Sequence, residues 1–293
     1  MPHDGTAPTI AIVAAGAMGA AVGKRLSEHG AKVMTVLEGR SARTAERARE
    51  AGMVAVAPQE LAAVELILSI APPSEALGLA NSLASILGAA PRKPVFIDCN
   101  AVNPETMRDI AAALAATGCD VLDCAIIGPP PSVAQNPCFY VSGDPKGLSL
   151  PLADLGLRLR RVDGPVGAAK TLKMVYAGIN KGLVGLGAAM LLAASNAGCA
   201  ESLREEMGES LPAILARLTK GAPDMYPKAY RWVGEMHEIA AFLERGDPAR
   251  GFFEAAAGIF ARFAADHDGP GDLEAKLNAA LGLGTHRLSA NSI

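Results

Sequence analysis

The chain has few aromatic residues, 4% of its 293 residues, and almost no net charge, with a formal value of −3 at pH 7. A charge so close to zero excludes the broad basic surface that binds nucleic acid, so we expect no nucleic-acid partner. Half of the residues are hydrophobic, which is enough for a large core. A chain of this length favours two domains.

The chain also lacks paired cysteines and long hydrophobic runs. Its five cysteines include no CxxC pair and no metal-binding spacing, so we expect no metal and predict reduced thiols in a cytoplasmic protein. Residues 1–5 do not begin a secretory signal. The longest apolar run, 182–194, is too short to cross a bilayer. We interpret it as part of a buried helix and expect no membrane partner.

Short apolar runs alternate with amphipathic segments through the first 163 residues. The apolar runs predict strands at 9–14, 32–37, 53–57, 65–70, 94–99, 120–124, 138–141 and 157–162. The amphipathic segments predict helices at 17–29, 42–51, 74–87 and 104–117. Strands that are apolar throughout and are each followed by a helix are typical of a parallel sheet covered on both faces.

The pattern changes after Gly164, where no further strand is predicted. Helices are predicted at 167–199, 201–219, 226–244, 248–268 and 270–282, followed by a frayed end at 285–293. The change of periodicity predicts a doubly wound α/β domain over 1–165 and an all-α domain over 166–293.

A glycine-rich turn joins the first predicted strand to the first helix. The segment Ala14-Ala-Gly16-Ala17-Met18-Gly19 occupies the place of the GxGxxG fingerprint of a Rossmann dinucleotide-binding domain, with Ala14 at its first glycine. Gly16 would let the backbone approach a pyrophosphate, and Gly19 would let the helix pack against the sheet. The amides of Ala17 and Met18, at the helix start, would face the phosphates.

The end of the second strand bears on which dinucleotide binds. Arg40, Ser41 and Arg43 follow this strand, and a guanidinium with hydroxyl donors suits a ribose 2′-phosphate. We therefore expect NADP. NAD stays open, because Glu38 could bind a free 2′-hydroxyl, and because Arg43 could equally be an exposed residue at a helix start.

Three lysines lie in the otherwise apolar or small segment 167–199, which contains no acid. We expect Lys170 and Lys181 to extend their charged ends to water. For Lys173 we expect a different role, because burial and a cationic neighbour lower the pKa of a lysine and make it an acid or base near neutral pH.

The glycine turn and the lysine segment together resemble the β-hydroxyacid dehydrogenase and 6-phosphogluconate dehydrogenase superfamily. Gly16-Ala17-Met18-Gly19 is similar to the family's Gly-x-Met-Gly turn, and the segment that begins at Gly167 is similar to its helix motif. The resemblance covers the whole chain and implies a Rossmann domain, a long interdomain helix and a helical C-terminal domain. It also implies that Lys173 is the catalytic lysine.

The chain departs from the family pattern along this helix. The family's asparagine four residues after the lysine is Ala177 here, its histidine is Tyr176, and the glutamate of the phosphogluconate enzyme is Asn180. Tyr176 and Asn180 still share a helix face with Lys173, so we assign both to the catalytic face. The loss of the glutamate argues against decarboxylation of 6-phosphogluconate.

The predicted substrate loop departs as well. The family's serine in Asp-Ala-Pro-Val-Ser-Gly-Gly is Ile127 here, followed by Gly128 and Pro129. These three residues suggest a substrate that is more apolar or is anchored differently. One of Ile126 and Ile127 is expected to pack against the helical domain, because neighbouring strand residues face opposite ways.

Two loops resemble those that line the cofactor in the family. Ala71-Pro72 follows the fourth predicted strand, and Asn100 follows the fifth. Ligands of open α/β sheets bind at the carboxyl ends of the strands, so we expect Asn100 to bind substrate or the cofactor ribose. Asn103 is expected to cap the helix that begins at Pro104.

The C-terminal domain offers Arg231 as a candidate for an anionic substrate group, although an ordinary ion pair with Glu235 explains it equally well. The glycines of the long helix favour close helix–helix contact, as in a homodimer formed through this domain.

These observations predict an NADP-dependent oxidoreductase that transfers hydride between the nicotinamide and a secondary alcohol or ketone, with a 3-hydroxyacid type of substrate. Two alternatives stay open. One is reduction of a C=N bond, as in imine reductases; the lysine at 173 argues against it. The other is a non-catalytic NADP-binding sensor.

Overall fold

A computed structural model describes residues 7–284; the predicted frayed end at 285–293 lies outside the described residues. The chain divides into two compact units, 1–173 and 174–293, a division that falls inside the long helix rather than at the change of periodicity at 165/166. Each unit is described in turn.

The first unit is an α/β unit. Its strands are β1 Thr9–Val13, β2 Lys32–Thr35, β3 Val54–Ala55, β4 Leu66–Ser69, β5 Val95–Asp98, β6 Val121–Ile127, β7 Cys138–Ser142 and β8 Arg158–Arg161. Its helices are α1 Ala17–Glu28, α2 Ala42–Glu50, α3 Ala76–Ala89, α4 Pro104–Leu114, the short α5 Pro151–Asp154 and the start of α6 Ala168–Asn196.

The strands form one sheet in the order β3-β2-β1-β4-β5-β6-β7-β8. The strands from β3 to β6 are parallel, as the sequence predicts, whereas β7 runs antiparallel to β6. The connection over 128–137 contains no helix, and parallel strands need a longer crossover than antiparallel strands do. The sheet is therefore mixed at this edge.

Both faces of the sheet are covered. Ile10 and Ile12 of β1 lie in one hydrophobic cluster, and Ala11 and Val13 lie in another. Successive strand residues point to opposite faces, so the two clusters are the two layers of the unit. This arrangement confirms the doubly wound α/β expectation.

The second unit consists of helices. After α6 come α7 Ala200–Ser210, α8 Pro212–Met225, α9 Ala229–Phe242, α10 Ala249–His267 and α11 Asp272–Ala280. The single helix predicted over 201–219 is wrong: the chain breaks at Leu211, because Pro212 lacks the amide needed to continue α7 and instead begins α8. The core of this unit includes Val184 and Leu191 of α6 with Trp232 and Phe260.

By length and composition alone, the helix α6 could cross a membrane, which the shorter run 182–194 did not indicate. In its most apolar stretch of 18 residues, 44% of the residues are buried inside the protein. Its glycines pack within the chain. A methyl group at Gly187 would stand 2.4 Å from the Leu218 side chain of α8. Methyl groups at Gly178, Gly182 and Gly185 would stand 3.3, 3.1 and 3.3 Å from phenylalanine side chains of α10, so these glycines make close contacts to α8 and α10 of the same unit.

Candidate active site

The glycine turn has the geometry of a phosphate cradle. Ala14 adopts φ +72°, the left-handed conformation that a glycine takes without cost, and its carbonyl accepts a hydrogen bond from the Gly16 amide at 2.9 Å. A methyl group at Gly19 would stand 2.4 Å from the Ala14 carbonyl oxygen, whereas one at Gly16 would meet nothing within 4 Å. Gly19 therefore allows tight packing, and the backbone at Gly16 is open to a ligand.

The start of α1 suits an anion. The helix begins at Ala17 and its first turn carries no acidic residue. The first amides of a helix have no partner within the helix, and the helix dipole favours negative charge there. A dinucleotide pyrophosphate fits this turn, with Ala17 and Met18 at its edge.

The residues predicted to choose between NAD and NADP lie after β2. Ser41 caps α2, because its Oγ accepts a hydrogen bond from the Thr44 amide at 3.3 Å. The Arg40 guanidinium lies 3.4 Å from the Glu75 carboxylate, and both side chains are partly exposed. Arg43 and Glu38 are exposed. Both guanidinium groups are thus accessible, and the Ser41 hydroxyl lies 3.1 Å from the Thr44 hydroxyl at the exposed start of α2.

The loops at the carboxyl ends of β4 and β5 are joined by Asn100. Its Oδ1 accepts from the Ala71 amide at 2.6 Å, and its Nδ2 donates to Ser69 Oγ and to the Asp98 carboxylate. The residue is 1% exposed. Both donor hydrogens of this amide are used inside the protein, so the predicted contact with substrate or ribose would have to be accepted by Oδ1, which has a second lone pair. Asn100 also holds the loop that carries Ala71 and the exposed Pro72.

Asn103 caps α4 as expected, accepting from the Thr106 amide at 2.8 Å. This cap fixes the end of the loop that begins at Asn100. Both asparagines of the segment therefore shape the loop after β5.

A buried ion cluster lies where β5 and β6 meet α6. Lys170 is 1% exposed, and its Nζ lies 3.0 Å from Asp98 Oδ1 and 3.1 Å from Asp123 Oδ1. Burial alone would lower the pKa of Lys170, but the two carboxylates outweigh it and raise the pKa. The expectation that Lys170 extends to water is wrong, because its acids come from two strands distant in sequence.

Lys173 lies one helical turn after Lys170 and is partly buried. Burial lowers the pKa of Lys173, and the nearby Lys170 ammonium lowers it further. The direction agrees with the sequence-based expectation. An amine with a lowered pKa is available near neutral pH both as a base and, when protonated, as an acid.

The thiols of Cys99 and Cys124 lie near the two lysines. A hydrogen bond to Cys124 and burial raise the pKa of Cys99 well above its ordinary value. A thiol with a raised pKa is uncharged at neutral pH. Among the neighbouring groups that shift the pKa of Lys173, Lys170 has the largest electrostatic effect.

The two other residues assigned to the catalytic face belong to the second unit. Tyr176 is 50% exposed. Asn180 donates from Nδ2 to the Tyr176 carbonyl at 3.0 Å, and its Oδ1 accepts from Arg217 at 3.1 Å. Arg217 was not singled out from the sequence, because its contact with α6 depends on how α8 folds back.

The predicted substrate loop is partly strand. β6 extends to Ile127, which pairs with Cys138 of β7, so Ile127 ends a strand. Ile126 is 5% exposed and belongs to the core of the first unit, so its packing partners lie in this unit and not in the helical domain that the sequence suggested. Gly128, at φ +132°, and Pro129 are exposed.

The ion pair expected between Arg231 and Glu235 in the second unit is not the one that the structure contains. Glu235 pairs with Lys181 rather than with Arg231, and the Lys181 ammonium lies 5.2 Å from the centre of the Trp232 ring. Lys181 is therefore a paired residue and does not extend freely to water. Arg231 is exposed on α9. Over residues 7–284, no group of three or more His, Cys, Asp or Glu residues could hold a metal ion.

Comparisons with family models assign the first unit. Residues 9–150 match the NAD binding domain of 6-phosphogluconate dehydrogenase, and residues 194–263 match a domain of unknown function, DUF1932. No curated protein sequence matches the chain.

Solved structures resemble the chain over most of its length. A conserved protein of unknown function, reported as structurally similar to 3-hydroxyacid dehydrogenases, is 26% identical with a TM-score of 0.74, covering 89% of this chain and 98% of its own. The 3-hydroxyisobutyrate dehydrogenase of Mycobacterium tuberculosis is 20% identical with a TM-score of 0.69, covering 94% and 99%. An imine reductase of Bacillus cereus is 17% identical with a TM-score of 0.57, covering 91% and 98%.

The family match covers strands β1 to β7 and the glycine turn, and the structural matches extend into the helical unit. Residues 9–150 therefore belong to the family of NAD binding domains of 6-phosphogluconate dehydrogenase, and this match together with the structural similarity to 3-hydroxyacid dehydrogenases supports the superfamily that contains both.

Proposed function

We propose that this protein is an NADP-dependent oxidoreductase that transfers hydride between the nicotinamide and a secondary alcohol or ketone of the 3-hydroxyacid type. The observation that carries the proposal is the Lys173 amine, whose pKa is lowered by burial and by the Lys170 ammonium. It belongs to the same unit as the open glycine turn at Gly16.

The cofactor supplies the hydride acceptor or donor. During oxidation of an alcohol, neutral Lys173 accepts the hydroxyl proton as hydride leaves the carbon. During reduction of a ketone, the Lys173 ammonium returns a proton to the oxygen. A general acid or base of this kind contributes about 10²–10⁴-fold to the rate.

The preference for NADP rests on Arg40, Ser41 and Arg43. Two accessible guanidinium groups and a hydroxyl suit the charge and the acceptor oxygens of a 2′-phosphate. Glu38 offers the alternative contact to the free hydroxyl of NAD.

The substitution Lys173→Met tests the proposal. NADPH oxidation with 3-oxoacids and NADP⁺ reduction with 3-hydroxyacids should both fall by about two orders of magnitude or more. Binding of NADPH, followed by its fluorescence, should persist. Lys32→Met is the matched control, because Lys32 is an exposed lysine at the amino end of β2. Unchanged turnover in Lys173→Met would overturn the proposal.

Imine reduction is the second candidate, and the apolar Ile127 beside exposed Gly128 and Pro129 favours it. Assays of NADPH oxidation with cyclic imines and with 3-oxoacids separate the two reactions. Faster turnover of the imines would assign C=N reduction. Tight binding of NADPH without turnover across a broad alcohol, ketone and imine panel would instead indicate a sensor.

We also propose that the protein forms a homodimer through its helical unit. An open, apolar groove of about 480 Å³ runs along α6, with Ile179 and Leu186 on its α6 side and Phe252 on its α10 side. Ile179 is 71% exposed. An apolar patch that packs on its own copy about a twofold axis needs no partner of opposite charge.

A cytoplasmic location stays the prediction from the cysteine pattern.

A further inference from the structure

The ion cluster of Lys170, Asp98 and Asp123 is built with nearly complete polar satisfaction. Besides the two carboxylates, Lys170 Nζ donates to the carbonyl oxygens of Asp98 at 2.9 Å and Cys124 at 2.6 Å. All three side chains are fully buried. A charge so deeply buried is costly unless it is paired and hydrogen-bonded, so the cluster holds its ammonium in one place.

Asp123 fastens the start of α6 to β6. Its Oδ2 accepts hydrogen bonds from the amides of Gly167, Ala169 and Lys170, at 2.9, 3.0 and 3.2 Å, and from Ser142 Oγ at 3.1 Å. A carboxylate at these amides satisfies the open donors of the helix start. The first turn of α6, from which Lys173 follows, is thereby fixed to the sheet.

Asp98 extends the cluster toward the cofactor loops. It accepts from the backbone amide and the side-chain amide of Asn100, and Asn100 in turn accepts from the Ala71 amide. A continuous set of polar contacts therefore joins the loops after β4 and β5 to the turn of α6 that precedes Lys173.

We propose that Lys170 is a positioning residue for Lys173: its buried ion cluster with Asp98 and Asp123 fixes the first turn of α6 and keeps one ammonium charge beside the reacting amine. The titratable groups near Lys173 in the first unit are Lys170 on α6, Cys124 on β6 and Cys99 after β5. Lys170 is the one that favours the neutral amine. This inference rests on the proposed role of Lys173.

The test measures Lys173 itself and needs no substrate. The intact protein, with bound NADPH and without it, is labelled at a series of pH values with a small amine-acylating reagent, acetic anhydride. Peptide mass spectrometry then gives the midpoint of Lys173 labelling. In Lys170→Met the midpoint should rise by about one pH unit or more, because a cation near the amine is lost and two carboxylates stay. Lys170→Arg should keep the midpoint close to that of the parent.

A second variant covers the case in which Lys170→Met does not fold. Lys170→Met with Asp98→Asn removes one cation and one anion together, while Asp123 keeps its four hydrogen-bond donors on Oδ2. Its midpoint should also rise, because the positive neighbour of Lys173 is gone. Lys32→Met again serves as the control.

An unchanged labelling midpoint in folded Lys170→Met, or in folded Lys170→Met with Asp98→Asn, would overturn this inference even if Lys173→Met abolished turnover. Conversely, the Lys170→Met variants could show a raised midpoint while Lys173→Met keeps its turnover. That result would support the effect of Lys170 on Lys173 and contradict the proposed catalysis. The two failures are therefore distinguishable.

Discussion

The two units treat their unusual side chains in opposite ways. In the first unit, Lys170 and two aspartates are buried and satisfy one another. In the second unit, Ile179 and Leu186 of α6 are exposed beside an apolar groove. Exposed apolar patches of this kind mark interaction sites. The comparison teaches that the first unit contains its own polar partners, whereas the second presents an exposed apolar surface, to which we assign the proposed second copy.

If the tightly packed glycine turn of the first unit binds the cofactor, an added methyl group at Gly19 should disturb both the fold and cofactor binding. Gly19→Ala places a methyl group 2.4 Å from the Ala14 carbonyl, and overpacking of this kind costs about 1–3 kcal/mol of unfolding free energy. The unfolding temperature should drop by several degrees, and NADPH binding should be lost.

Gly16→Ala is the matched comparison for Gly19→Ala. A methyl group there meets no protein atom within 4 Å, so the unfolding temperature should stay the same while NADPH binds more weakly. Equal loss of stability in both variants would contradict the assigned roles of the two glycines.

If the second unit needs a second copy, a charge in its groove should separate the copies. Ile179→Glu buries a carboxylate in an apolar interface, so sedimentation analysis should show the mass falling from dimer to monomer. Val133→Glu, at an exposed apolar residue of the first unit, should leave the mass unchanged. A parent protein that is monomeric at micromolar concentration would contradict the homodimer.

The arginines after β2 test whether the first unit distinguishes NADPH from NADH. Arg40→Ala and Arg43→Ala should each weaken NADPH binding about tenfold, a loss of about 1.4 kcal/mol, while NADH binding changes little. Arg49→Ala removes an exposed arginine from the other end of α2 and should alter neither. Binding titrations with both dinucleotides give the ratio. Equal effects on NADH and NADPH would remove the 2′-phosphate role.

The smallest expected effect concerns Ala14. A non-glycine residue at φ +72° carries a backbone cost of about 1–2 kcal/mol, and glycine relieves it. Ala14→Gly should therefore raise the unfolding temperature by a few degrees. A lowered unfolding temperature would indicate that the Ala14 methyl group contributes more through packing than its backbone costs.

Much of the fold could be predicted from the sequence, because apolar runs and helix signals are local. The Asn103 cap and the glycine turn are examples. The antiparallel β7 was not predicted, because strand direction depends on how the chain returns after Gly128.

The ion cluster of Lys170 shows why the site was only partly predictable. The segment 167–199 contains no acid, and the partners of Lys170 lie on β5 and β6. One signal was present: Asp98 and Asp123 each lie at the end of an apolar run or within one. An acid in a buried strand together with a lysine in a buried helix indicates a pair, but only the sheet order brings them together.

The central claim is that the Lys173 amine moves the proton, and the pH dependence of kcat/KM for oxidation of a 3-hydroxyacid tests it most directly. The parent enzyme should gain activity as pH rises through a midpoint below 10.5, the ordinary pKa of a lysine, because the lowered pKa of Lys173 makes the neutral base available at lower pH. The Lys173→Met variant should lose both the rate and this pH dependence. The same rising profile in Lys173→Met, at a comparable rate, would contradict the account.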